Sequence, residues 1–576
     1  MISNDEEIKR LRAQLQAAKA EIARRDEKIA RRNEEIAKRD KHDWQKSLGA
    51  LCSHYPVLKN RTITSAHYSK NHQHARIKEC LKVDHVEVFD QIQSKCLPDF
   101  WKTQFSVQPV KELGESCDSE SAAQARVVQL LEAVIRGLNL SDVIEVVQNR
   151  MLAGIESDVL LAKKPNRLPC AIVEVKKPGF KEEVFLGNQQ TNAKQATQGQ
   201  RQTRAAATSQ GVDKSSKRNL VAGQVLDECH AVKMFGFSQV YGMLTDWNNW
   251  RLSCTEEISN NDALVAMVMA LYDTKNESTR NENQEPSPPP PKIDFAEQLP
   301  EEEVLTSGTK RKHQTAVSLN HCCLDKDRTL FCTKVVPDSD EMSEAGRQIV
   351  SFVALFVLRA FLSVRNLNHP DVRIEVNKRL PCRILNKADT DTFAFGSVKI
   401  ASLKYQQFPR SDVKRLYVVH PLGYGAFGEC CIAVTENGCV CVVKFFRSPS
   451  DGNSSENCAE SEMNNWNEVY ERKAVPKCFT MDGPEGPYLV MPFLKPVALE
   501  DRNKLLEECK IKTALESFAS SGYIHDDVRW RHFGWWGEDL LMLDLGGVTK
   551  EPDESRVRCW IDRSLCILQE RIGTVC

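Results

Sequence analysis

Apolar residues recur every three or four positions near the start of the chain, where Ile8, Leu11, Leu15, Ala18, Ile22, Ile29 and Ile36 fall on one seam. The unit beginning at Ile22 returns after seven residues, a period of 3.5 rather than 3.6, and predicts a coiled coil within residues 1–42 that joins copies of the chain through 8–36. Arg25 and Arg32 take the alternate seam positions and weaken it, so a single solvated helix is the alternative. Residues 43–110 give mixed helical signals without a motif. From about 118 to 270 the pattern runs helix, strand, strand, helix, strand. The next stretch, "TKNESTRNENQEPSPPPPK" (274–292), is polar and proline-bearing, and predicts a flexible linker over 274–345. The most apolar window, "IVSFVALFVLRAFLSV" (349–364), is short for a bilayer and carries Arg359, which predicts a buried helix rather than a membrane span. A β-rich stretch (371–405) follows, and residues 420–446 read as three consecutive strands. Asn437-Gly438, between the last two, predicts a two-residue turn with both central residues at positive φ.

At 576 residues the chain exceeds one hydrophobic core. The expected class is multidomain α+β: the coiled coil (1–42), an unassigned helical segment (43–110), an α/β domain (111–273), the linker (274–345), a helix with strands that extends the last domain (346–412), and a C-terminal domain (413–576). A formal net charge of −1 excludes wholesale polyanion binding and leaves only local basic patches. The 21 cysteines include no Cys-x-x-Cys pair, so zinc ribbons and thioredoxin chemistry are unsupported. The charged start of the chain shows no secretory signal, so the expectation is an intracellular protein with reduced thiols, in cytoplasm or nucleus; "KRK" (310–312) is a weak nuclear address.

Candidate chemistry is densest toward the end. In "HPLGYGAFGECCIAVTENGCVCVVKFF" (420–446), Gly423, Gly425 and Gly428 form G-x-G-x-x-G in a strand–turn–strand context, not before the helix of a dinucleotide fold. Lys444 lies in an apolar strand, where an unpaired ammonium is costly. The helix 459–473 offers Glu462, or else Glu460, as its partner. "GPYLVMPFL" (486–494) adds a strand with Met491, "IHDDVRWRH" (524–532) adds Asp527, and "LLMLDLGG" (540–547) adds Asp544. This ordered series resembles the protein-kinase-like fold over about 160 residues. The resemblance implies a glycine flap over ATP phosphates, Lys444 on those phosphates, Met491 behind the adenine, Asp527 as the base for an acceptor hydroxyl on a protein substrate, and Asp544 on magnesium. His532 stands at the second metal position, where the family has asparagine; its nitrogen raises manganese as the alternative cation. Leu545 replaces the usual phenylalanine, Cys430 the usual valine, and no Ala-Pro-Glu follows.

A second constellation lies in "ESDVLLAKKPNRLPCAIVEVKKPG" (156–179). A turn centred near Asn166 pairs positions whose numbers sum to about 332, which sets Asp158 opposite Glu174. Alternation then puts Glu174 and Lys176 on one face. Two carboxylates this close repel unless a divalent cation sits between them. Asp…Glu-x-Lys on a hairpin resembles the PD-(D/E)XK nuclease core, with Glu120 or Glu132 from a preceding helix and Gln224 from a following one. The resemblance implies Asp158 and Glu174 as metal ligands, Lys176 as the catalytic lysine and DNA as a partner. The basic segment 184–218 reads as a DNA-contacting arm or as a merely solvated run.

A nuclease-like module followed by a small kinase-like one resembles the Crinkler-type effectors of filamentous eukaryotic microbes. That implies an effector role and a host-cell nuclear destination; a coiled coil stands where their translocation header is expected. The leading expectation is an ATP- and magnesium-dependent protein kinase-like phosphotransferase carrying a nuclease-like module. The alternatives are a metal-dependent DNA nuclease with a nucleotide-sensing pseudokinase domain, and a non-catalytic oligomeric scaffold.

Overall fold

The computed structural model describes residues 46–53, 71–79, 85–105, 120–176, 214–256, 264–270, 272, 321–324, 328–337, 341–364, 374, 376–425, 427–447 and 455–572, with four helical positions between 24 and 31. The rest of the predicted coiled coil, the arm up to 213 and linker residues 274–320 lie outside these. The described chain is mixed α+β and centres on a seven-stranded and an eight-stranded sheet.

The first region begins with β1 (Lys46–Ser47), α1 (Leu48–Ser53), β2 (Arg76–Glu79), α2 (His85–Cys96) and β3 (Gln104–Phe105). Then come α3 (Glu120–Gly137), β4 (Ile144–Leu152), β5 (Ile155–Lys163), β6 (Leu168–Val175), α4 (Lys214–Lys233), β7 (Tyr241–Thr245) and β8 (Trp250–Cys254). After the linker, β9 (His321–Leu324) joins the second sheet, β10 (Thr329–Cys332) returns to the first, and α5 (Met342–Val364) follows. The first sheet runs β2-β10-β8-β7-β6-β5-β4, with β6–β7 and β10–β2 parallel and its other pairs antiparallel. Every residue of β6 is buried. A central strand covered on both faces needs apolar residues at successive positions, and "LPCAIVEV" supplies them around one acid.

Four expectations change here. A strand not foreseen, β4, precedes the predicted hairpin. The sheet recruits β2 from the unassigned segment and β10 from the stretch expected to be linker, so 274–345 is not linker throughout. The helix at 346–365 does not extend the last domain: α5 packs on α1, α2, α3 and strands β5 to β7. Apolar nearly all round, it needs cover on every side, and that region supplies it. Ser343–Val364 is long and apolar enough to cross a membrane, yet most of it is buried inside the protein. Arg359, 5% exposed, sets its guanidinium over the Tyr241 ring.

The second region contains β11 (Arg379–Asn386), β12 (Asp389–Lys399), β13 (Arg415–Gly425), β14 (Gly428–Val434), β15 (Val440–Phe446), α6 (Ser455–Val469), β16 (Phe479–Met481) and β17 (Tyr488–Pro492). Its antiparallel sheet runs β16-β17-β15-β14-β13-β11-β12-β9. A smaller lobe adds β18 (Lys495–Pro496), α7 (Asp501–Glu507), α8 (Lys510–Ala519), β19 (Tyr523–His525), β20 (Phe533–Trp536), β21 (Asp539–Met542), β22 (Val548–Lys550) and α9 (Glu554–Glu570). The β14–β15 connection corrects the turn expected at Asn437-Gly438. Only Gly438 has positive φ (84°), and its N–H donates to Thr435 O at 3.0 Å, closing a wider loop. That is a turn ending on a left-handed glycine, which also matches strand twist.

One apolar core runs from the first sheet and α5 into the near face of the second sheet, through Phe393, Cys431, Phe445 and Tyr488. A separate core around Trp466, Leu489, Met491, Trp530 and Leu545 lies under the smaller lobe. The two regions therefore share buried surface while each site rests on its own packing.

Candidate functional sites

In the second region, β15 places Lys444 between Cys430 of β14 and Leu489 of β17. Its ammonium is buried and donates to Glu462 at 2.7 and 2.9 Å and to Asp544 at 2.7 Å. Burial disfavours the charge, but Glu462, followed by Cys430 and Asp544, more than offsets it and holds the lysine above its ordinary value. Burial would likewise raise Asp544; Lys444 outweighs that and keeps the carboxyl below its usual range. Asp544 lies in the left-handed region at φ 62°, a conformation an aspartate tolerates but that surrounding structure must hold. Asn465 fastens this turn by donating to Leu545 O at 2.9 Å. A Cβ at Gly546 would stand 3.0 Å from Glu462 Oε2, so the glycine lets the acid turn approach α6 closely. Glu460, the other candidate partner, is exposed.

Two histidines tie the acid loops together. Asp527 N–H donates to His525 Nδ1 at 3.0 Å, so His525 carries its proton on Nε2, which meets Asp544 O at 2.9 Å. This buried ring is a brace between the loops. His532 Nδ1 meets Asp527 O at 2.8 Å, which makes Nδ1 the protonated nitrogen and leaves the Nε2 lone pair 3.8 Å from Asp544 Oδ2. Burial first, against the pull of the Asp527 carbonyl, holds His532 below the usual histidine value. Arg529 donates to Asp527 Oδ1 at 2.6 Å, and Arg531 to His532 Nε2 at 3.2 Å. Sequence reasoning missed both arginines, which lie in the same loop, two residues after Asp527 and just before His532. Indole donors secure the loop from α9: Trp530 to Leu568 O and Trp560 to His525 O, each at 2.8 Å.

Above this cluster, Gly425 and Gly428 close the β13–β14 hairpin. Gly428 has φ 147°, and a Cβ there would run into the carbonyl of Phe445. A Cβ at Gly423 or Gly425 would have no atom within 4 Å. Packing does not require those two glycines, which leaves room for a bound molecule. Met491 is buried beside Val442 in the core beneath. Lys444, Glu462, Asp544 and His532, separated along the chain, thus meet in one place, and Asp527 is tied to them through its backbone carbonyl on His532.

The first region gathers its own cluster. β5 and β6 pair Val159 with Val173 and Leu160 with Ile172, the register that sets Asp158 opposite Glu174; a bulge after Leu161 shifts the pairing by one. Glu120, Asp158 and Glu174 bring ligand oxygens within 4.8 Å of one another. Lys176 bonds Glu174 and lies 3.6 Å from Glu120 and 3.5 Å from Gln224. Glu120 from α3 therefore joins the site, whereas Glu132 is exposed on the same helix. Val175 N–H donates to Asp158 Oδ2 at 2.9 Å.

Sequence reasoning missed Glu228. It is fully buried, accepts from Ser157 Oγ at 3.2 Å and from Gln224 Nε2 at 3.3 Å, and meets the Glu174 carboxyl. The signal was there: it lies four residues after Gln224, on the same face of α4. Burial first, then Asp158, push Glu174 up to about 7 against the pull of Lys176. Burial and Glu174 push Glu228 well above the carboxylate range. Glu174 Oε2 is buried and accepts from no described N–H group; the group that faces this carboxyl is Glu228. Excess buried carboxylate with an unmatched oxygen is the donor set a hard divalent cation requires.

Residues 421–536 match the model of a family of unknown function, DUF5898. No curated protein matches the chain.

Proposed function

We propose that the second region is an ATP-dependent phosphotransferase acting on hydroxyl groups of a protein. The observation that carries this reading is Lys444, buried and bonded at 2.7 Å to both Glu462 and Asp544. In this reading Glu462 aims the ammonium, which binds the nucleotide phosphates beneath the hairpin of Gly423, Gly425 and Gly428. Asp527 takes the proton of the attacking hydroxyl, with Arg529 released from it to meet phosphate charge. Asp544 and, once Arg531 withdraws from it, Nε2 of His532 would hold a divalent cation, magnesium or manganese, which supplies charge neutralisation to the phosphates. Met491 packs behind the adenine. The test is transfer of radiolabelled phosphate from ATP to a generic protein acceptor or to the chain itself. Wild type labels, whereas Asp527→Ala and Asp544→Ala do not; equal labelling by all three would end the reading.

A second reading is favoured by the carboxylate cluster. We propose that Glu120, Asp158 and Glu174 hold a divalent cation in a PD-(D/E)XK nuclease-like centre, with Lys176 orienting the water that attacks a phosphodiester of DNA. Metal-dependent nicking of plasmid, lost in Lys176→Ala, is its test. The order of the two modules supports a Crinkler-like effector. Oligomerisation through 8–36 and a nuclear site of action belong to that proposal.

A further inference from the structure

We infer that the first region supplies positioning residues to the nucleotide site, with Arg150 and Arg167 holding the glycine hairpin through Tyr424. The inference rests on the phosphotransferase reading of that site. Tyr424 stands one residue before Gly425, on the flap itself. The Arg150 guanidinium lies 4.5 Å from the centre of its ring, and Arg167 donates to its hydroxyl at 3.1 Å. Arg150 is buried and bonds the Arg167 carbonyl, so the two arginines form one unit; Glu145 anchors Arg167 at 3.0 Å. All three belong to the β4–β6 part of the first sheet.

The hairpin is held at a second point. Glu429, paired across from Tyr424, is 1% exposed, and its carboxyl lies beside the backbone N–H groups of Ala153 and Gly154, in the turn between β4 and β5. Arg383 of β11 bonds the Ala153 carbonyl from the other side and donates to Tyr488 Oη at 2.6 Å. Gly154 has φ 80°, and a Cβ there would meet Arg383 and Phe445. The first region's turn is thus seated at the root of the flap, and four residues further along β5 is Asp158. A strand rises roughly 3.3 Å per residue, so about 13 Å of stiff backbone separates the flap contact from the acidic cluster.

A flap fixed before nucleotide arrives does not have to be ordered during binding, and that saving goes into affinity. The test uses the full chain as wild type, Tyr424→Leu and Arg167→Ala; Arg167 is surface-exposed, and its side chain bonds Glu145 and Tyr424 rather than the acids around Lys444. Amide exchange is read at residues 422–425 and 428–432, ADP affinity by calorimetry, and KM for ATP against kcat. Flap amides are expected to exchange about tenfold faster in both variants, with ADP affinity down about fivefold and KM rising while kcat changes little. Unchanged flap exchange overturns the inference, as does faster exchange with unaltered ADP affinity. Wild-type protein that takes up no ADP overturns the phosphotransferase reading and the clamp's role with it. That failure is distinct because the wild type itself is then blank.

Discussion

Both regions set a buried lysine among acids, yet the two sites ask for opposite ligands. Around Lys444 the cations Lys444, Arg529 and Arg531 face the acids Glu462, Asp527 and Asp544, three against three. Around Lys176 a single ammonium faces Glu120, Asp158, Glu174 and Glu228, one against four. A balanced cluster with two hydrogen-bonded arginines at its edge suits an anion such as a triphosphate, accompanied by its cation. An acid-rich, buried one holds protons until a cation replaces them. The same residue types thus differ in chemistry through count and burial, not through identity.

The largest effect that would break this comparison is at Lys444. Lys444→Met leaves Glu462 buried without its cation, which should cost about 3–5 kcal/mol in urea unfolding and remove phosphate transfer. Stability kept within about 1 kcal/mol would show that the pair is not buried as an ion pair. Next comes metal at the acidic cluster. Manganese at 100 times its dissociation constant should raise stability by about 2.7 kcal/mol, seen as a higher melting temperature that Glu174→Gln abolishes.

The pH sign follows from Glu174, whose folded value is about 7 against an ordinary 4.5. Without metal, the folded state holds this proton more tightly than the unfolded chain does. Its contribution is full below the ordinary value and is lost as pH rises through about 7. Metal binds the ionised form, so manganese should stabilise more at pH 8 than at pH 5.5, a difference that Glu174→Gln flattens.

His532→Asn sharpens the contrast between nitrogen and oxygen donors. It should move the manganese-to-magnesium preference of phosphate transfer toward magnesium about tenfold, measured at matched metal concentrations. Gly154→Ala at the junction should cost about 1–3 kcal/mol in melting experiments, because its φ of 80° and the contact with Arg383 both resist a side chain. The smallest effects belong to the exposed acids. Glu132→Gln and Glu460→Gln should leave stability within about 0.5 kcal/mol and both activities intact.

Much of each site was legible because its residues sit in short periodic segments. The hairpin register placing Asp158 opposite Glu174 came from the turn near Asn166 together with strand period, and Glu462 rather than Glu460 shares the helix face of Trp466 and Val469. The residues missed were of another kind. Glu228 becomes chemically notable only once α4 packs on β6, and Arg529 and Arg531 only once their loop turns back on Asp527 and His532. The ownership of α5 was misjudged because an apolar helix shows that it must be covered, not by what.

The chain's own order of residues determined which segments pair locally, where lysines enter apolar strands, and which glycines a turn demands, since backbone sterics and side-chain period act over a few residues. Tertiary structure alone decided that β2 and β10 complete the first sheet, that the turn at Gly154 seats at the root of the flap, and that Lys444 reaches both Glu462 and Asp544. Those outcomes depend on which distant surfaces bury each other. That choice is made by total buried area and matched charge across the whole fold, and no local window contains it.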